Sequence, residues 1–123
     1  MMYEMLTGDL LFQPRKGTSW SKNDDHLAQI EELLGPFNPN FSLRGKKSKK
    51  YFTKQGILKR VPELQFWPID LVLRLKHKIR TSEAKAFGQF LAPMLIAEPE
   101  LRISAQDALK LDWLTQHYQD YKM

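Results

Sequence analysis

Cysteine is absent from this 123-residue chain, which excludes a disulfide framework and a thiolate metal site and fits a reducing compartment. No Gly-x-Gly-x-x-Gly occurs anywhere in it, so it brings no glycine-rich cradle for nucleotide phosphates. Long apolar runs are missing too. The longest, residues 90–97, has Pro93 inside it and falls far short of the roughly 20 residues a spanning helix needs. Glu4 and Asp9 stand where a secretory leader would be basic and then apolar. His26, His77 and His117 are too dispersed for a helical metal pair, and Ser19, Ser21 and Ser82 lack a nucleophile elbow. Asp24 and Glu31 offer carboxylates, but no pocket is suggested around them. The expectation is a soluble, intracellular chain with no metal site and no membrane partner.

What is present is an ordinary globular balance, 42% hydrophobic and 27% charged, enough for one modest domain. A chain of this size buries roughly two thirds of its unfolded surface. The net charge is +5, and six of the nineteen basic residues lie within 44–54, with Lys59 and Arg60 just beyond. Lysines beside Tyr51 and Phe52 have the chemistry to neutralise phosphate and stack a base. A solvated loop is the preferred reading of that run, because no helix-turn-helix, zinc spacing or RNA-recognition motif accompanies it. Nucleic acid is therefore not the expected partner.

The pattern along the chain is helical, without an internal repeat. Residues 2–7 make a helix too short to stand alone, since isolated helices below about 12 residues are marginal in water. Gly8 terminates it. A second helix is predicted over about 25–34, with Leu27, Ile30 and Leu34 in register, Ser21 or Asp24 as its cap and Gly35 as its stop. Residues 36–62 read as irregular, broken by Pro36, Pro39, Gly45 and Gly56. Trp67-Pro68-Ile69-Asp70 opens a third helix. A fourth starts near Thr81 or Ser82 and carries the apolar stripe Phe87, Phe90, Leu91, Met94 and Leu95, with Pro93 bending it. The last starts at a capping box, Ser104-Ala105-Gln106-Asp107, with Ala108, Leu109 and Trp113 behind it. Five helices and no convincing strand define a mainly α chain.

Two distant stretches, Tyr3-Glu4-Met5-Leu6-Thr7-Gly8-Asp9-Leu10-Leu11-Phe12 and Glu98-Pro99-Glu100-Leu101-Arg102 leading to Trp113-Leu114, resemble the last third of a eukaryotic protein kinase domain. The insert between the second and fourth helices, at about 36–80, is similar to that of the group containing the cyclin-dependent and mitogen-activated kinases. Within that group the match is to kinases that phosphorylate serine/arginine-rich splicing factors. It runs through Asp24-Asp25-His26, Glu32-Leu33-Leu34-Gly35, Gly45-Lys46, Ser48-Lys49, Tyr51-Phe52, Gly56, Leu58-Lys59, Trp67, Phe90-Leu91 and Pro93-Met94-Leu95, essentially the whole chain. The resemblance implies residues 1–123 as a partial kinase domain, the distal part of its large C-terminal lobe.

It further implies ATP-dependent phosphorylation of serines in Arg/Ser-rich proteins by the full domain, with ATP and magnesium as its cofactors and the cytoplasm and nucleus as its location. His-Arg-Asp and Asp-Phe-Gly are absent from this chain, so it holds no catalytic residue and no cofactor of its own and is expected to be inactive alone. Two alternatives stay open: a non-catalytic docking module for Arg/Ser-rich peptides, or a truncated or pseudogene product. A nucleic-acid-binding basic loop is the weaker alternative.

In the family the second helix and the insert grip the arginine-rich substrate, and four docking positions carry over to Asp25, Glu32, Trp67 and Lys76. Helix geometry bears on two of them: seven residues bring Glu32 to within about 20° of Asp25 on the wheel, about 10.5 Å along the axis. Such carboxylates suit the planar fork of arginine. Glu31 stands where the relatives' docking helix is apolar. Arg102 carries over as a structural arginine, but its family partner, the glutamate of an Ala-Pro-Glu motif, has no counterpart here. Arg102 is therefore expected to be exposed or paired elsewhere, because a buried unpaired charge would cost several kcal/mol.

Overall fold

A computed structural model describes residues 2–61, 64–111 and 113–114. Among these, seven helical elements and no strand occur: α1 Met2–Thr7, α2 Lys22–Leu34, α3 Pro39–Ser42, α4 Ser48–Tyr51, α5 Ile69–Leu75, α6 Thr81–Leu95 and α7 Ala105–Ala108. The chain divides into two compact units, Met1–Pro68 and Ile69–Met123.

In the first unit, α1 buries Tyr3, while Met5 is 78% exposed. Gly8 closes it at φ +81°, donating to the Glu4 carbonyl at 2.8 Å, a left-handed stop that glycine adopts without a Cβ penalty. The helix predicted over 25–34 starts three residues earlier, at Lys22. Ser21 is its cap and Asp24 is the third residue of a reciprocal capping box, each backbone N–H bonded to the other's side chain. Gly35 ends it at φ +91°.

The segment predicted as irregular is partly ordered. Asn38 caps α3 by accepting from Asn40 N–H at 2.9 Å, with Pro39 in the first turn. After α4, Phe52 pairs with Leu58 in an isolated antiparallel bridge. Phe52 and Leu58 are buried with Ala28 of α2, and Leu27, Phe37, Tyr51 and Val61 pack around them. Phe37 also meets Phe41 and Phe52 edge to face at 5.8 and 6.1 Å. Residues 37–61 thus fold back onto α2 as the core of this unit.

In the second unit α5 packs on α6. Leu73 and Ala84 are fully buried, with Phe87, Phe90 and Leu91 beside them. Gly88 lets α5 approach closely, since a Cβ there would lie 3.4 Å from Ile69 Cγ2. Pro93 sits inside α6, which runs on to Leu95. Trp113 stacks on Phe90 at 4.8 Å and tilts against Phe87 at 5.2 Å. Leu109 does not share it and is 70% exposed. Its position just past the single turn of α7 turns it outward.

Candidate functional site

Which face of α2 is buried decides what the helix can offer a partner. The buried positions are Asp24, Ala28, Glu31 and Leu33, while Leu27, Ile30 and Leu34 are half-buried. The packed stripe is therefore offset from the one that periodicity alone marks, and two carboxylates lie on it. Asp24 is 1% exposed. Its Oδ2 accepts from the Ser21 N–H at 2.8 Å and the Ser21 hydroxyl at 2.9 Å and meets Arg60 Nη1 at 3.4 Å. Burial alone would raise the Asp24 pKa, but the bonds from Ser21 and the Arg60 guanidinium outweigh it and hold the carboxyl below its ordinary range. Glu31 goes the other way. Burial pushes its pKa up, opposed by one hydrogen bond from Phe37 N–H at 3.2 Å.

The two carboxylates carried over as docking positions flank this stripe and are half-buried. Asp25 Oδ2 accepts from the Arg15 N–H at 2.7 Å and from Gln29 Nε2 at 3.0 Å. Gln29 in turn makes a two-way pair with Gln13, donating to its carbonyl at 3.0 Å and accepting from its N–H at 2.9 Å. The backbone of residues 13–15 is thereby laid along α2. Glu32 does the same at the far end: its Oε2 accepts from Gln65 N–H at 3.2 Å and its backbone carbonyl from Trp67 N–H at 2.7 Å.

Each of the two carboxylates is thus oriented through one oxygen, leaving the other without a protein donor among the described residues. A cationic group approaching either one meets an acceptor already fixed in direction, so less side-chain freedom is lost on binding.

Trp67 is brought next to Glu32 by that backbone bond and is 41% exposed, with Phe66 beside it at 60%. Asp25, Glu32 and Trp67 therefore share one unit. Lys76 belongs to the second, where it closes α5 by donating its N–H to Val72 O at 2.9 Å and leaves its side chain in solvent. Arg102, exposed, also lies in the second unit. Its Nε donates to Ile96 O at 2.7 Å and Nη2 to Ala97 O at 2.8 Å, the carbonyls left open where α6 ends. It has found a partner elsewhere, as expected.

Sequence reasoning missed Gln13, Gln29 and the Asp24–Arg60 pair. The first two engage backbone groups, which carry no residue signature, and the third joins residues 36 positions apart. Among the described residues, no cluster of His, Cys, Asp or Glu could hold a metal ion, and no helix is long and apolar enough to cross a membrane.

No family model matches the chain. It is similar over most of its length to curated serine/threonine kinases. The serine/threonine-protein kinase SKY1 of Saccharomyces cerevisiae is 43% identical over 115 residues, 93% of this chain and 15% of that protein. SRSF protein kinase 3 of Mus musculus is 41% identical over 114 residues, 93% of this chain and 20% of its own length. The serine/threonine-protein kinase SRPK of Physarum polycephalum is 45% identical over 111 residues, 89% of this chain and 26% of its own length. The chain spans at most about a quarter of these relatives.

Proposed function

We propose, for a chain homologous to part of the serine/threonine kinases that include the SRSF protein kinases, that α2 and the backbone segments pinned to it are a docking surface for arginine-rich, Arg/Ser-containing segments of substrate proteins. The observation that carries this reading is the fixing of Asp25 and Glu32 by Arg15 N–H and Gln65 N–H, which holds two carboxylates in place and leaves each with an open oxygen. Guanidinium groups suit such acceptors, since charge-assisted hydrogen bonds are short and about twice as strong as neutral ones. Trp67, beside Glu32, supplies a face over which a guanidinium can lie. Lys76, in the second unit, stays in this reading a docking position by family resemblance alone, and the fold is the distal part of the kinase large lobe.

Phosphoryl transfer to serine, with ATP and magnesium, belongs in this reading to sequence outside these residues, because Gly-x-Gly-x-x-Gly, His-Arg-Asp and Asp-Phe-Gly are absent from the chain. The cytoplasm and nucleus are its proposed location.

The test is binding of a labelled Arg/Ser-repeat peptide to the chain, followed by anisotropy. Asp25→Ala with Glu32→Ala is expected to weaken binding at least tenfold, and raising the salt to weaken it further. Replacing the peptide's arginines by lysines should weaken it as well, because the ammonium cannot fork across a carboxylate. A double variant that binds like the parent overturns the proposal. A kinase assay on the chain alone is expected to read background.

A further inference from the structure

The 30 residues between Glu32 and Glu63 hold eight lysines and arginines and no acidic residue. Arg60 pairs with Asp24 at 3.4 Å, and Lys59 donates to the Lys49 carbonyl. The other six, Arg44, Lys46, Lys47, Lys49, Lys50 and Lys54, are all exposed. Among the described residues, Lys46, Lys47, Lys49 and Lys54 have no carboxylate partner. No carboxylate among the described residues neutralises their positive charge, which is available to a partner.

A solvated loop would carry such charges on a mobile tether. Here they are mounted on the core of the first unit. Lys49 and Lys50 ride on α4, and Phe52 N–H closes that turn on Ser48 O at 2.7 Å. Phe52 is buried against Ala28 and Leu58. Lys59 N–H donates to Tyr51 O at 2.9 Å, Thr53 N–H to Ile57 O at 2.7 Å, and Asn23 Nδ2 reaches the Tyr51 hydroxyl at 3.3 Å. Holding the backbone that carries the lysines in place lowers the entropy lost when a chain of anions binds across them.

Two cations are backed by aromatic rings. The Arg44 guanidinium lies over Phe41 at 5.2 Å, and the Lys50 ammonium over Tyr51 at 5.5 Å. A flat guanidinium resting on a ring is the kind of surface on which an unstacked base settles. An acidic peptide has no base to stack there.

We propose that this basic surface, 44–54, binds single-stranded nucleic acid, with Lys46, Lys47, Lys49 and Lys54 on phosphates and a base stacked at Arg44. Phosphate contacts of this kind carry little sequence preference, so affinity is expected in the non-specific range, with Kd of roughly 1–100 μM at physiological salt. The surface is separate from the carboxylates of the docking proposal, so the two can fail independently.

The experiment is fluorescence anisotropy of a labelled single-stranded RNA of about 20 nucleotides with the whole chain, repeated over a salt series. With four phosphates neutralised, log affinity should fall against log salt with a slope of about −3. Lys46→Gln with Lys49→Gln should weaken binding at least fivefold and flatten that slope, and Arg44→Ala should weaken it while leaving the slope less changed. Lys85→Gln, on α6 in the second unit, should do neither, and Asp25→Ala with Glu32→Ala should leave RNA affinity at or above the parent's. Circular dichroism on each variant checks the fold, which surface Lys→Gln changes should leave intact. Polyglutamate of matched charge competing as well as RNA, or unchanged binding in the lysine variant, overturns the proposal.

Discussion

Arg60 Nη1 meets Asp24 Oδ2 at 3.4 Å, joining the segment after the Phe52–Leu58 bridge to the first turn of α2 across 36 residues. The same carboxylate oxygen accepts from Ser21 N–H and hydroxyl, so a single buried atom both completes the capping box and anchors Arg60. The other oxygen, Oδ1, is buried with no hydrogen-bond partner among the described residues, so the charge leans on one side alone.

Asp24→Ala removes the capping-box partner and the anchor together. Loss of stability of roughly 2–3 kcal/mol is expected, from about 1 for the capping interaction and the rest from the charged hydrogen bonds. Arg60→Ala should cost less, about 1 kcal/mol, because Arg60 is 44% exposed and its pairing is screened. Urea unfolding of both variants checks the order. A larger loss for Arg60→Ala than for Asp24→Ala would contradict it.

The pH dependence of the two buried carboxylates has opposite sign. Asp24 has its folded pKa below its ordinary 3.8, so its stabilisation is present above that value and lost as pH falls through the lowered folded pKa. Glu31 has its folded pKa raised above its ordinary 4.5, so the folded state holds its proton longer and stability falls as pH rises from 4.5 through the folded value. Glu31→Gln keeps an acceptor for Phe37 N–H and removes the charge. Thermal unfolding should show the variant more stable than the parent near pH 7 and closer to it near pH 4.

Gly56 has φ +81°, and a Cβ there would lie 2.7 Å from Ser42 Oγ and 3.0 Å from Pro39 Cα. Gly56→Ala therefore meets both backbone strain and a clash, with an expected loss of roughly 1–3 kcal/mol. Adding Ser42→Gly should recover only part of it, because the Pro39 contact is with backbone. Full recovery in the double variant would show that the hydroxyl alone is the obstacle.

Arg102 bonds the carbonyls of Ile96 and Ala97 at the end of α6. Arg102→Ala should cost about 1–2 kcal/mol, in the range of hydrogen bonds made by a charged donor. Hydrogen exchange should quicken at the last turn of α6 in the variant, while α2 amides keep their protection. Unchanged exchange there would mean that the arginine is not needed as a cap.

Several elements were legible in the sequence because their causes are local. Ser21 and Gly35 bracket α2, Ser104 opens α7, and the Phe87–Phe90–Leu91 stripe is the buried face of α6. The start of α2 was misplaced by three residues because Asp24 was weighed as a cap when it is the residue that answers one. In the insert, α3 and α4 are single turns too short for any periodic signal, and the Phe52–Leu58 bridge is fixed by burial against Ala28.

Residue order alone determined a mainly helical chain, its turn glycines, a basic run without acid, and the lack of every nucleotide-handling motif, since propensity, capping and charge are properties of neighbours. Only tertiary structure decided that Asp24 and Asp25, adjacent and chemically identical, part company. One is sealed against Ser21 and Arg60, and the other is half-exposed on Arg15 N–H. A helix turns about 100° per residue, so a one-residue offset in the buried stripe separates core from surface. What sets that offset is the fit of Phe52 and Leu58 against Ala28, residues at least 24 positions away.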